Sequence, residues 1–410
     1  MHWFKKLPSD IRQYMVITGN YWAFTLTDGA LRMLVVLYFY ELGFSPLNIA
    51  LLFIFYELFG VVTNLIGGWL GARVGLNKTM NIGLFLQIIA LSMLLLPANL
   101  LAVPWVMAAQ ALSGIAKDLN KMSAKSAIKM LVPKDADGQL YKWVALLTGS
   151  KNALKGAGFF LGGVLLSSLG FTAALLCMVL ALTAVWLFSL MMLKKDLGKA
   201  KNKPKFKALF SKSRAINYLA AARMMLFGAR DIWFVVALPV YLASEFGWSH
   251  WSVGGFLALW VIGYGLVQGF APLLTGANKG RLPDGRHAML WAFTLALIPA
   301  LIAVALSFQW YQEAALLGGL LFFGAVFAVN SSLHSYLIVS YADEEGVSLD
   351  VGFYYMANAM GRLIGTLLSG WLFQAFGLSA CLLASSIFIG CAALLSIGLP
   401  RHLVSSELSK

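Results

Sequence analysis

The sequence predicts an all-α membrane protein in which twelve transmembrane helices form two six-helix bundles related by a pseudo-twofold axis. Three observations carry this. The 410 residues are 60% hydrophobic and only 12% charged, far from the composition of soluble domains. Twelve apolar stretches are long enough to span, since about 20 residues cross a bilayer. Glycine spacing repeats between the halves: Gly158, Gly163 and Gly170 recur 207 positions on as Gly365, Gly370 and Gly377, and Gly114 and Asn120 recur 210 positions on as Gly324 and Asn330.

In order, the stretches fall at 15–40, 47–72, 79–98, 102–131, 140–169, 171–193, 215–243, 251–275, 286–308, 312–341, 347–375 and 378–399. Backbone groups in lipid must bond within their own segment, and stretches this long and continuous do not suit barrel strands, so each reads as a helix. The start, MHWFKKLPSDIRQ, shows no short apolar core before a small-residue cleavage site, and the first helix is expected to stay in the protein. The halves divide as 1–193 and 215–410, joined by a basic linker at 194–214 with nine Lys or Arg and one acid, Asp196. Its position between helices six and seven reads as topology-fixing charge beside anionic headgroups. The net charge of +14 therefore implies no nucleic-acid partner.

Lys and Arg crowd one side of the membrane. They occupy the N-terminus, the second-to-third loop, the linker, the eighth-to-ninth loop and the tail, whereas the connections at 42–46, 98–103, 170–172, 245–251, 309–313 and 377–379 have none. The positive-inside rule then places both termini in the cytoplasm.

Ionisable residues inside predicted helices are the next signal. Lys117, Lys121, Lys125 and Lys129 recur every fourth residue of the fourth helix. A lysine at a bilayer centre costs about 3 kcal/mol on the mildest scale, so such a row faces water, protein or an anionic ligand. With Asp28, Arg32, Glu57, Asp118, Lys151, Lys155, Arg223, Arg230, Asp231 and Arg362, and leaving Lys129 at the helix end aside, nine cations and four anions lie well inside the spans. An excess of five positive charges calls for a multiply charged anion. Arginine grips oxyanions with a rigid fork and lysine serves as a movable point charge.

The candidate substrate contacts are Arg32, Lys117, Lys121, Lys155, Arg230 and Arg362, with Asn120, Asn152, Asn330, His334 and Asn358 as polar neighbours. Asp28, Glu57, Asp118 and Asp231 are candidates for proton coupling or gating. Plainer readings stand beside these. Lys129, Lys125 and Arg223 lie toward the cytoplasmic end, where they can snorkel to headgroups. Asp28 and Arg32, four apart, suit an intrahelical ion pair, and Asp118 suits one with Lys121. At the repeat offset Lys155 falls on Arg362, which suggests a symmetric clamp for a two-headed anion.

Part of the second-to-third loop, Gly68, Trp69, Leu70, Gly71, Arg73, Val74, Gly75 and Lys78, resembles the conserved loop of the major facilitator superfamily. Ala72 stands where that family usually has an acid, which weakens the gating salt bridge ascribed to the loop. The runs TGNYWAFTLTDGALRMLVV (18–36), QALSGIAKDLNKMSAKSAIKMLVP (110–133), TGSKNALKGAGFFLGG (148–163) and GARDIWFVVALPVYLAS (228–244) resemble the ArsJ family of organoarsenical efflux permeases. That resemblance implies a monomeric multi-pass permease of the bacterial inner membrane. It would export 1-arseno-3-phosphoglycerate, confer arsenate resistance and depend functionally on glyceraldehyde-3-phosphate dehydrogenase, which makes the ester. An organophosphate/inorganic phosphate antiporter is the alternative, because basic residues paired on helices one and seven, here Arg32 and Arg230, resemble that group.

An enzyme is not expected: the five histidines give no HExxH spacing, and no GxxxxGK[ST] loop is present. No cofactor or metal is implied. Cys177, Cys381 and Cys391 are far apart and in buried spans by expectation, so neither a thiolate site nor a disulfide is expected.

Overall fold

The computed structural model describes residues 8–42, 52–97, 100–132, 137–193, 197, 213–248, 250–276, 282–343 and 347–401. These fold into α1 Ser9–Glu41, α2 Ile54–Val74, α3 Leu76–Met93, α4 Val103–Leu131, α5 Asp137–Leu169, α6 Phe171–Met192, α7 Arg214–Phe234, α8 Ala237–Ser244, α9 His250–Leu274, α10 Gly285–Ser307, α11 Gln312–Tyr341 and α12 Val347–Ser396. Among the described residues there is no strand. The linker at 194–214 lies, apart from residues 197, 213 and 214, outside the described residues.

The twelve predicted spans are present with two differences of bookkeeping. Span seven is broken into α7 and α8, because Pro239 has no N–H to return to the Val235 carbonyl. The freed Ala237 N–H donates instead to Ser369 Oγ at 3.1 Å. Spans eleven and twelve run together as α12, which folds back at Gly377 with φ 77° and ψ −174°. Its repeat mate Gly170 turns the chain between α5 and α6 with φ 76° and ψ 171°, a left-handed conformation that glycine alone adopts freely. The other repeat pair is equally well matched: Asn120 donates to Ala116 O at 3.2 Å and Asn330 to Val326 O at 3.1 Å, each one turn back on its own helix.

Packing differs between the two ends. At the end bearing the chain termini, one apolar core joins both halves, from Tyr14, Met122 and Tyr141 to Tyr336, Val351 and Tyr354. At the other end the core divides in two, one part around Phe24, Leu84 and Phe171, the other around Trp233, Trp260 and Phe323. Glycines permit the close approach at the terminal end: a Cβ on Gly68 would meet the Ser348 carbonyl and lie 3.1 Å from Gly352 Cα. Ala72, buried there, packs on Leu349. The contact that an acid would have made electrostatically is therefore apolar. All three cysteines are free, and Cys177 and Cys391 are exposed rather than buried, since their helices face outward from the bundle.

Candidate functional site

The charged residues of α1, α2, α7 and α12 form one alternating chain across the middle of the molecule. Arg32 Nη2 lies 3.6 Å from Glu57 Oε1, and the same oxygen is 3.3 Å from Arg362 Nη2. Arg362 Nε donates to Asp231 Oδ2 at 3.1 Å, and Asp231 Oδ1 accepts from Arg230 Nε at 2.7 Å. Two carboxylates thus hold three guanidinium groups, and the Glu57–Arg362 step crosses between the halves. In this conformation the Arg362 fork meets two acids, whereas its repeat mate Lys155 has no carboxylate partner among the described residues.

Asp28 does not form its bond with Arg32. It accepts the Tyr56 hydroxyl at 2.8 and 3.0 Å, while Arg32 turns to Glu57 and lies 5.3 Å from the centre of the Tyr56 ring. Tyr56 also carries Lys117, whose Nζ sits 3.7 Å above the ring centre. Sequence reasoning missed Tyr56 altogether; its only signal was a tyrosine beside a glutamate inside a span. Asp118 does pair with Lys121, at 2.6 Å.

Solvent reaches this site unevenly. Side-chain exposure is 29% at Arg32, 33% at Glu57 and 31% at Arg362, then 15% at Arg230 and 13% at Lys121. Lys125 and Arg223, each nearer the terminal end, are only 3% exposed. Of the two sequence readings for them, snorkelling is not what the structure shows: both are enclosed by the core that joins the halves. Lys125 donates to Thr148 Oγ1 at 2.8 Å and Ser335 Oγ at 3.5 Å. Arg223 donates to Asn358 Oδ1 at 2.9 Å and to Ser331 O and Oγ at 3.2 and 3.3 Å. Lys129 does not snorkel either: it crosses to the end of α11, donating to Ser340 O at 3.0 Å and to Ala342 O.

The polar candidates separate by position. Asn358 belongs to the Arg223 group, and Asn152 donates to Gln268 Oε1 at 2.5 Å, linking α5 to α9 across the halves. Asn120 and Asn330 lie aside: Asn330 also donates to Trp291 O of α10, and Asn120 stands against Gly83 of α3. Asn330 thus bonds one helix to another, as asparagine does inside membranes, whereas Asn120 bonds only its own helix and packs on α3. His334 is fully buried with neither ring nitrogen hydrogen-bonded.

Arg32, Lys121, Arg230 and Arg362 have carboxylate partners. Among the described residues Lys117, Lys125, Lys151, Lys155 and Arg223 have none. Five unpaired cations in a low-dielectric setting demand a counter-charge. Among the described residues no His, Cys, Asp and Glu group suits a metal.

Ion-paired, half-exposed charges inside two helical bundles that share one core at one end and separate at the other are the arrangement of a membrane transporter. The chain belongs to the Major Facilitator Superfamily, whose family model matches residues 17–282. Similar solved structures include the human organic anion transporter MFSD10 (TETRAN), 16% identical, with a TM-score of 0.75 over 95% of this chain and 100% of that one. A bacterial homologue of the iron transporter ferroportin in outward-facing state is 14% identical, with a TM-score of 0.75 over 95% and 99%. The E. coli fucose:proton symporter FucP is 13% identical, with a TM-score of 0.73 over 95% and 99%. At these identities the likeness is one of fold. Comparison with curated proteins finds no match.

Proposed function

We propose that this transporter exports a phosphorylated organoarsenical anion, 1-arseno-3-phosphoglycerate, by alternating access, and so confers arsenate resistance. The observation that carries the anion class is the set of five cations without an acid partner around the ion chain. The resemblance of four sequence runs to the ArsJ family supplies the particular ester, which glyceraldehyde-3-phosphate dehydrogenase would produce. The reading puts the protein in the bacterial inner membrane with both termini cytoplasmic, so that the end where the core divides faces outward. An incoming oxyanion competes with Glu57 and Asp231 for Arg32, Arg362 and Arg230, and frees the chain that ties the halves. Expelling about three negative charges gains about 7 kcal/mol per 100 mV of inside-negative potential.

A second reading, exchange of an organophosphate for inorganic phosphate, is favoured by one observation: Arg32 and Arg230 stand at the two ends of the ion chain. Proteoliposome flux separates the two. The arsenical ester should move without a counter-substrate and in preference to phosphate and sugar phosphates. Flux that requires phosphate on the opposite side establishes the antiporter instead.

A further inference from the structure

The ion chain leaves two buried cations unexplained. Lys125 and Arg223 come from different halves, are each 3% exposed, and lie within electrostatic reach of one another. No carboxylate touches either among the described residues: Glu57 and Asp231 are committed to the arginines of the chain, Asp118 to Lys121, and Asp28 to Tyr56. The charged groups nearest Lys125 are cations, Lys121, which shares the Tyr355 ring with it, and Lys151, and Arg230 shares the Phe227 ring with Arg223; the direct hydrogen-bond partners are all neutral. Ser331 and Ser335, one turn apart on α11, face Arg223 and Lys125 respectively, while Asn358 and the Tyr354 ring, one turn apart on α12, hold Arg223. The Lys125 ammonium lies 5.1 Å from the centre of the Tyr355 ring.

Serine, threonine and asparagine orient these cations without neutralising them. A buried, uncompensated charge costs several kcal/mol, so a site built this way is suited to a ligand that brings its own negative charge. Among the described residues Arg223 Nη2 makes no hydrogen bond, and Lys125 Nζ, with three donors, uses two. Both nitrogens of buried His334 on the same helix are unpartnered, and the Tyr354 and Tyr355 hydroxyls approach Ser335 without closing a hydrogen bond. Donors and acceptors are in surplus around two bare cations.

We propose that Lys125 and Arg223, with Thr148, Ser331, Ser335 and Asn358, form a second oxyanion subsite, for a tetrahedral phosphoryl or arsenoryl group, on the terminal side of the ion chain. It rests on the anion-export reading for its place in the cycle: the anion is loaded here when the terminal end opens, with its other head toward Lys117 and Lys155. The fork of Arg223 gives the directional contact and Lys125 the point charge. Every part of the subsite except Lys125 and Thr148 comes from the C-terminal half. Loading therefore draws the two halves together around the bound group.

The test uses the purified full-length protein in nanodiscs, with inorganic phosphate as the probe in calorimetric titration. Wild type should bind two phosphates per chain. Lys125→Met, close in shape and uncharged, should bind one, and its ligand-free melting temperature should rise, because an unpaired buried charge has been removed. A residue serving only as a structural donor would give a fall. Arg223→Lys should weaken the second phosphate at least tenfold while keeping the fold. The proposal is overturned if Lys125→Met still binds two phosphates, or if wild type binds one. Two-site binding without arsenical export would refute the substrate and leave the subsite; one-site binding with intact export would refute the subsite alone.

Discussion

The two ends of this transporter are held by different physics. At the terminal end a single apolar core, a glycine seam and one lysine on backbone carbonyls join the halves. At mid-depth, among the described residues, the ion pair that joins the halves is Glu57 with Arg362, exposed to about a third, and beyond it the cores are separate. Packing of this kind is insensitive to ligand charge, whereas ion pairs open to solvent are exchangeable for a bound anion. The comparison teaches a division of labour: apolar packing sets which face is shut, and the buried and half-exposed charges within and beyond it sense whether an anion is present.

The sharpest way to break that comparison is to spoil the packed end. In Gly68→Val the added carbons run into the Ser348 carbonyl and Gly352, so the seam cannot close. Transport should fall to background. A cysteine placed at Ser335, buried in wild type, should label with a soluble maleimide at least tenfold faster. Unchanged labelling with intact flux would show that the seam does not hold this end shut.

Next in size is the ion chain. Glu57→Gln releases Arg32 and Arg362 from their shared oxygen. Anion binding should tighten several-fold because the guanidinium groups no longer need to be won from a carboxylate, while turnover drops about tenfold because the bound anion leaves less readily. Binding and flux measured on one preparation check this, and weaker binding at unchanged turnover would contradict it. Lys129→Gln comes next. Hydrogen bonds to a charged donor are worth about 1.5–3 kcal/mol, so losing those to Ser340 O and Ala342 O should shift closure of the terminal end about tenfold or more, read by the same maleimide labelling. The outcome expected of a lysine that merely snorkels is no shift.

The sequence made the fold legible because apolar length and glycine register are local properties. Gly170 and Gly377, paired by spacing, adopt the same left-handed backbone, and Asn120 and Asn330 make the same bond. Plain apolarity misses α1, α4 and α7, which carry Asp28, Arg32, the lysine row, Arg230 and Asp231, and also polar α3, but it keeps α2, α5 and α12, which carry Glu57, Lys151, Lys155 and Arg362. Which ion meets which was not legible. Asp28 and Arg32 satisfy the spacing for a helical pair, yet Tyr56 and Glu57 arrive from α2 with better geometry. Lys125 and Arg223 sit at depths that suit snorkelling, and only the packing of one half against the other buries them. Depth along a helix can be counted from the sequence, but enclosure by a partner bundle cannot.

Tyr56 gives the smallest expected effect and the finest test of the ion-sensing end. Its hydroxyl fixes Asp28 and its ring face carries Lys117, so one side chain does two separable jobs. Tyr56→Phe keeps the ring and its cation–π attraction but frees Asp28 to turn to Lys155, a cation already within its electrostatic reach and without a carboxylate partner among the described residues. A carboxylate that turns to Lys155 competes with the substrate, and anion affinity should fall about threefold. Tyr56→Leu also removes the ring, leaving Lys117 unsupported, and should fall further than Phe. In Tyr56→Phe with Asp28→Asn added, the competing charge is gone, and affinity should return to the wild-type value or above it. If Phe and Leu behave alike, the ring does not position Lys117; if the Asp28→Asn addition restores nothing, Asp28 is not the competitor and the hydroxyl serves the anion directly.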